Sequence, residues 1–369
     1  MSFEEARVVF DIGSETTKAG FAGESFPRCV MRSIVGRFRH TGFIDGVPLF
    51  YYGDHAIKNR GTLHLNCPVT DGYITDWDDM ENLWHHVFYS QLCMPPEHSR
   101  VVHAIHAMST VKEKKKMAEI LFEVFAIKGL YLVKAPILAL FASGRTTGLV
   151  WGSGHSCCSA TPVFEGFPLA HATVSSELSG SALTEYLRSL INKLGYQLHT
   201  SFENDIVNEI KANMCFVSND YAVEVDKLKF DKASYVMPDG QKILLGPERT
   251  QCPEMFFQPS LANKKCASIP DIIFNSINKC DVDYRPLFFK NIVVSGGSTM
   301  FPGLINRLKA EMHIKNPGVE MKVDGIPNRS LSAWAGGSMM AGIDSMKDFW
   351  LTSEEYEDCG DEKVIYKFF

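Results

Sequence analysis

Apolar residues along this chain follow two alternating rhythms. Short runs that are continuous or alternate in polarity, bounded by glycine turns, predict strands, and segments whose apolar positions return every three or four residues predict amphipathic helices. Met80, Leu83, Trp84, Val87 and Phe88 share one face of a helix that Asp76 caps and that ends before Pro95-Pro96. Thr110-Val111-Lys112-Glu113 has the capping-box pattern. In the helix it opens, Met117, Ile120, Leu121 and Phe125 form the core face, and Lys114-Lys115-Lys116 an exposed, solvated one rather than a nucleic-acid patch. Leu183, Leu187, Leu190, Ile191 and Leu194 predict a third helix that stops at Gly195. Strand–turn–strand units alternating with helices indicate an α/β protein.

A chain of 369 residues, 45% of them hydrophobic, exceeds one ordinary domain and can build two cores. The net charge of −6 supplies no drive toward nucleic acid or anionic membrane, so no direct contact with either is expected. No apolar run approaches the roughly 18 residues of a membrane span, and Met1–Arg7 is acidic and polar, unlike a secretory leader. These features predict a cytoplasmic or nuclear protein whose ten cysteines are reduced thiols. Cys157-Cys158 point to opposite faces of a strand, and no spaced Cys or His set completes a tetrahedral site, so no metal centre is expected. His103 and His106, in an apolar run, read as packed or hydrogen-bonded residues rather than ligands.

An internal echo adds to this. Phe10-Asp11-Ile12-Gly13-Ser14 and Val150-Trp151-Gly152-Ser153-Gly154 each place small residues just after an apolar strand, as two similar halves facing one cleft would. No Gly/Ser linker separates the halves, consistent with a chain that crosses twice between domains.

The longer motifs carry a family resemblance. Val8 to Ser14 with Lys18-Ala19-Gly20-Phe21-Ala22-Gly23, the stretch Phe141 to His155 running into Thr161 to Gly166, and Val293 to Gly303 closely resemble the nucleotide-binding segments of actin. Cys252-Pro253-Glu254, Phe257-Gln258-Pro259-Ser260 and Lys279 to Asp283 extend the likeness over essentially the whole chain. The sequence resembles a divergent actin-related protein, with an analogy to testis-type members of the sperm head. The resemblance implies the actin/Hsp70/sugar-kinase-like fold, two similar α/β domains closing over a nucleotide. Residues 1–134 plus 332–369 would form an outer domain carrying a docking loop at 39–48, and 135–331 an inner one.

In the family, glycine-turn N–H groups and a nearby lysine hold phosphates. The positions that match are Asp11, Gly13, Ser14, Lys18, Gly154, Gly180, Lys211, Gly296, Gly297 and Ser298. These glycines are kept either for a loosely held nucleotide or because the hairpins need them. The departures are weightier. Glu15 stands where actins have glycine, and a carboxylate about 4 Å from a phosphate costs at most on the order of 4 kcal/mol. Gly152 and His155 replace two aspartates, Ser159 a histidine, and Ala135, followed by Pro136, a glutamine of the water network. Losing one such group lowers a rate by about 10² to 10⁴. Asn208, Ala212 and Ser330 replace an arginine, a glutamate and a lysine near base and ribose. The expectation is a pseudo-ATPase with no catalytic residues, holding ATP or ADP weakly or not at all.

The resemblance also places a target-binding cleft at Phe141, Ala142, Gly144, Thr146, Gly166, Phe167, Met340, Ile343, Ser345 and Phe349. An apolar groove of this kind suits an amphipathic partner helix, although Met340 and Ile343 read equally well as core. The family's filament plug at Pro259 to Cys266 has become polar and basic here, which predicts poor homopolymerisation. Partners would be proteins in the cleft, conventional actin or another cytoskeletal assembly. The leading expectation is a non-catalytic structural or scaffolding protein of a specialised cytoskeleton. A subunit of a chromatin-remodelling or dynactin-type complex is the alternative, and a polymerising ATPase or sugar-kinase relative ranks behind both.

Overall fold

The computed structural model describes residues 6–39 and 48–368, the side chains of Asp344, Ser345 and Lys347 excepted. The chain divides into two compact units, Met1–Arg145 with Leu331–Phe369, and Thr146–Ser330. The first crossing therefore falls later than the expected break after residue 134. Helix Ala135–Ala142 buries Leu138 in one cluster with Trp334 of helix Ser332–Ala341, and this packing keeps it in the first unit.

The first unit is built on a six-stranded sheet in the order Leu351–Thr352, Gly129–Lys134, Ser99–Ile105, Ala6–Ile12, Thr16–Phe21, Cys29–Arg32. Its three central strands run parallel, and the hairpin of Ala6–Ile12 with Thr16–Phe21 is antiparallel. The central strands are apolar on both faces because both faces are covered. Val8, Phe10 and Val101 face helices Trp77–His86 and Val111–Glu119, whereas Val9, Val102 and Val133 face Leu138 and Trp334. The Trp334 indole N–H donates to the carbonyl of Val9 at 3.2 Å, fixing that second layer.

In the second unit the sheet runs Phe167–Pro168, Cys158–Phe164, Gly148–Ser153, Ile292–Ser295, Val323–Asp324, with Val174–Ser176 also paired to Cys158–Phe164. Again an antiparallel hairpin adjoins a parallel neighbour. Trp151, Leu183, Leu187, Ile191, Ile210, Phe256 and Ile273 belong to one core beneath it. The Glu254 carboxylate, completely enclosed, meets the Arg307 guanidinium at 3.0 Å and also accepts from Gln258 at 2.9 Å. Much of the motif from Cys252 to Gln258 thus serves the interior. Burial raises the pKa of Glu254 while Arg307 opposes the rise.

Several sequence expectations change in detail. Asp76 and Thr110 do cap their helices, accepting from the N–H groups of Asp79 at 3.0 Å and Glu113 at 3.2 Å. The Glu113 carboxylate, however, accepts from the Ile74 N–H at 3.0 Å and so serves a neighbouring strand. Both helices also loosen into π-helical turns, Val87–Gln91 and Ile120–Val124, which apolar periodicity does not register. Lys114 is buried, not solvated, because the C-terminal segment lies over it and its ammonium donates to the carbonyl of Phe368 at 3.0 Å. Lys115 pairs with Asp361 at 3.0 Å. Leu194 lies outside its helix, Gly180–Lys193, and is exposed. Among the described residues no helix is long and apolar enough to cross a membrane.

Candidate functional site

Each unit ends its central hairpin in a tip of the same construction. In the first, Asp11 lies opposite Lys18 and Ile12 opposite Thr17, and the Gly13 N–H closes the turn on the carbonyl of Thr16 at 3.0 Å. In the second, Ser153 lies opposite Cys158, and the Gly154 N–H closes the turn on the carbonyl of Cys157 at 2.8 Å. The echo in sequence is thus an echo in hydrogen bonding: a glycine N–H bonded three residues on.

The two tips differ in electrostatics. At the first, the Lys18 ammonium and Asp11 carboxylate form a largely buried cross-strand pair at 3.0 Å. Glu15 turns toward Arg32, which lies opposite Thr16 on the next strand, and the two charged groups meet at 3.1 Å. The carboxylate expected to repel a phosphate therefore has a guanidinium counter-ion, which reduces that repulsion. Backbone at the tip is also tied down: Ser33 N–H donates to the Glu15 carbonyl at 3.0 Å and the Cys67 thiol to the Ser14 carbonyl at 3.0 Å. Burial, the largest influence, raises the Cys67 pKa, and that keeps it a thiol donor.

Below this tip His103 is fully enclosed. Its Nδ1 lies 2.8 Å from the Ala104 carbonyl, and the Trp84 indole N–H donates to its Nε2 at 3.4 Å. A neutral ring with the proton on Nδ1 satisfies both contacts. Burial pulls its pKa to about 4 against weaker opposing effects of Ala104 and Asp11. It is a core histidine.

At the second tip backbone and hydroxyl hydrogen bonds dominate and turn inward. The Gly154 carbonyl accepts from the Ser298 hydroxyl at 2.8 Å and from the Gly180 N–H at 2.9 Å, while the His155 carbonyl accepts from the Ser181 N–H at 2.6 Å. Gly180 is tightly enclosed: a Cβ there would lie 2.3 Å from the Ser298 hydroxyl and 3.0 Å from the Gly154 carbonyl. Gly296, at φ +96°, would bring a Cβ within 2.2 Å of the Ser153 carbonyl oxygen. Gly297 and Ser298 follow it in a 3₁₀ turn, Gly297–Thr299. The buried Lys211 ammonium donates to the Gly180 carbonyl at 2.8 Å and the Thr184 hydroxyl at 2.6 Å, and that hydroxyl lies 3.2 Å from the Asn208 side-chain oxygen. The structure thus brings Gly154, Gly180, Gly296, Gly297, Ser298 and Lys211 together in one unit, and Asp11, Gly13, Ser14 and Lys18 in the other. Sequence reading missed Arg32 and Cys67, whose part depends on strand pairing; the signal was Arg32 at the end of a strand that follows the hairpin.

The expected partner surface divides likewise. In the first unit Phe141 and Ala142 end a helix and Gly144 turns the chain at φ +74°. Met340 is only 6% exposed, packed in the cluster of Trp334 and Leu138, so it is core and leaves the surface set. Ile343 and Phe349 are 40% and 48% exposed, Phe349 beside Tyr131 with ring centroids 5.9 Å apart. The Ser345 side chain lies outside the described residues, as do positions 40–47 of the expected docking loop. In the second unit the Gly166 N–H donates to the Thr146 carbonyl at 2.8 Å and presents Phe167 with 58% exposure. The basic segment after Pro259 forms a 3₁₀ turn, Pro259–Ala262, and Lys264 reaches Glu177 at 3.5 Å. Compared with known families, residues 3–369 match the model described as Actin.

Proposed function

The chain belongs to the actin family, and on that footing we propose that it is a divergent, non-catalytic member that acts as a structural or scaffolding protein of a specialised cytoskeleton, of the kind found in sperm. The observation that carries this reading is how the hairpin tips use their polar groups. In the second unit Gly152 and His155 supply no carboxylate, and the Gly154 and Gly180 N–H groups and the Lys211 ammonium are spent on the unit's own hydrogen bonds. In the first, Lys18 is committed to Asp11, and Glu15 with its counter-ion Arg32 stands beside the turn. Such donor sets do not suit a magnesium–triphosphate, which needs carboxylates to orient metal-bound water and N–H or ammonium groups directed at phosphate oxygens. No hydrolytic step is assigned to these residues, and ATP or ADP is held weakly or not at all.

The remaining assets are surfaces. Ile343 and Phe349 in the first unit are exposed apolar side chains that fit an amphipathic helix from a protein partner, and the second unit presents an exposed Phe167 of its own. Polar, basic residues after Pro259 disfavour homopolymers. The deciding experiment denatures freshly purified protein and quantifies released adenine nucleotide per chain. Less than about one nucleotide per ten chains supports the scaffold reading; near-stoichiometric, magnesium-dependent ATP or ADP overturns it. Ile343→Asp is expected to abolish recovery of the partner without lowering Tm.

A further inference from the structure

The first unit holds an open groove of about 690 Å³, lined by the end of the helical segment that begins at Val111 and by helix Ser353–Cys359. This size falls within the range of specific binding pockets. Phe122 and Tyr356 stack there, with centroids 4.6 Å apart and planes 18° from parallel. The Tyr356 hydroxyl donates to Glu123 at 3.2 Å, and Glu357 also lines the groove. Glu119 and Asp361 stand at its edge with lysine partners of their own, Lys116 at 2.5 Å and Lys115 at 3.0 Å. Lys128 is the basic residue of the lining. Carboxylate influence converges on the ring, for the Tyr356 pKa is pushed up to about 12, first by burial and then by Glu123, Glu119 and Asp361.

We propose that this groove docks an arginine side chain presented by a basic segment of a protein partner. Charge complementarity selects a cation, since Glu123 and Glu357 outnumber Lys128 in the lining once Lys116 and Lys115 have offset Glu119 and Asp361. The aromatic wall selects among cations. A planar guanidinium stacks on a ring and pairs with a carboxylate through two parallel N–H groups, whereas an ammonium is a strongly hydrated point charge. The groove is larger than one side chain, which leaves room for the backbone that carries the arginine. Nothing in this inference depends on the hairpin tips or on nucleotide.

The test uses the full chain and fluorescence anisotropy at about 150 mM salt, where diffuse surface attraction is screened. The probe is a labelled Gly/Ser peptide with two arginines, compared with the same peptide carrying lysines. Saturable binding of the arginine peptide, at least about fivefold tighter than the lysine peptide, is expected. The pair Glu123→Gln with Glu357→Gln should raise Kd about tenfold or more, and Tyr356→Leu similarly, with far-UV circular dichroism confirming that each variant is folded. Glu354→Gln with Asp358→Asn, an equal charge change on the same helix outside the lining, should leave Kd unchanged. Equal weakening by the two pairs, equal affinity for lysine and arginine peptides, competition by spermidine at matched charge concentration, or no saturable binding would each overturn the proposal.

Discussion

Two hairpin tips with one backbone plan have been stabilised in opposite ways. At Gly13 the turn is held by charged side chains, with Lys18 on Asp11 and Arg32 on Glu15, and the glycine itself is in open space, a Cβ meeting nothing nearer than the Thr16 carbonyl at 3.7 Å. At Gly154 the turn is held mainly by close packing of backbone against backbone, through Gly180, Ser298 and Gly296, with the buried Lys211 ammonium on the Gly180 carbonyl behind it. The first arrangement tolerates added volume and depends on ionisation. The second depends on close packing, with no spare volume at Gly180 and Gly296, while Gly154 itself, like Gly13, would meet only its own turn's carbonyl, that of Cys157 at 3.6 Å.

This contrast makes its strongest prediction for alanine substitutions. Gly296→Ala combines an unfavourable φ with a Cβ 2.2 Å from a backbone oxygen and should cost more than about 4 kcal/mol, giving insoluble or unfolded protein. Gly13→Ala should stay within about 1 kcal/mol by urea unfolding. Comparable losses at both sites would erase the distinction.

A smaller effect concerns pH. His103 is neutral in the fold, with its pKa near 4 against an ordinary 6.5, so between these values the unfolded chain binds the extra proton. Its contribution is complete above about pH 6.5 and is lost as pH falls toward 4, on the order of 3 kcal/mol in all. Unfolding curves over that range should show the slope in wild type and a flatter one in His103→Gln.

The Glu15–Arg32 pair is partly exposed, its side chains 22% and 25% accessible. Arg32→Ala should therefore cost about 1 kcal/mol or less, and high salt should mask the loss. The smallest expected response is to ligand. Adding EDTA, or millimolar magnesium–ATP, should move Tm by less than about 1 °C, whereas a bound nucleotide would raise it by several degrees through mass action.

The sequence announced the hairpins because a glycine after an apolar strand is a local signal, and the helices because burial imprints a three-to-four periodicity on Met80, Leu83, Trp84 and their successors. What it hid depended on partners far away in the chain. Lys114 looks solvent-facing within its own helix, yet its hydrogen-bond acceptor is 254 positions downstream. The Glu113 pattern promised a local cap and the side chain was claimed by Ile74. Met340 sits in a helix with little amphipathic contrast, so no periodicity distinguished its buried face. The missing carboxylates were plain from residue identity, but the counter-ion of Glu15 required knowing that Arg32 is paired across from Thr16.

The grip of Lys114 on Phe368 and the burial of Val364 and Phe368 in the same core as Phe10 have a consequence for biosynthesis. The second unit is one unbroken stretch and can fold as soon as it leaves the ribosome, whereas the first needs residues made before that stretch and residues made after it. Until the residues that follow the second unit are made, Val9 lacks Trp334 and Lys114 lacks the carbonyl of Phe368. A nascent chain of this protein thus carries a half-finished, sticky domain for as long as the whole second unit takes to be made.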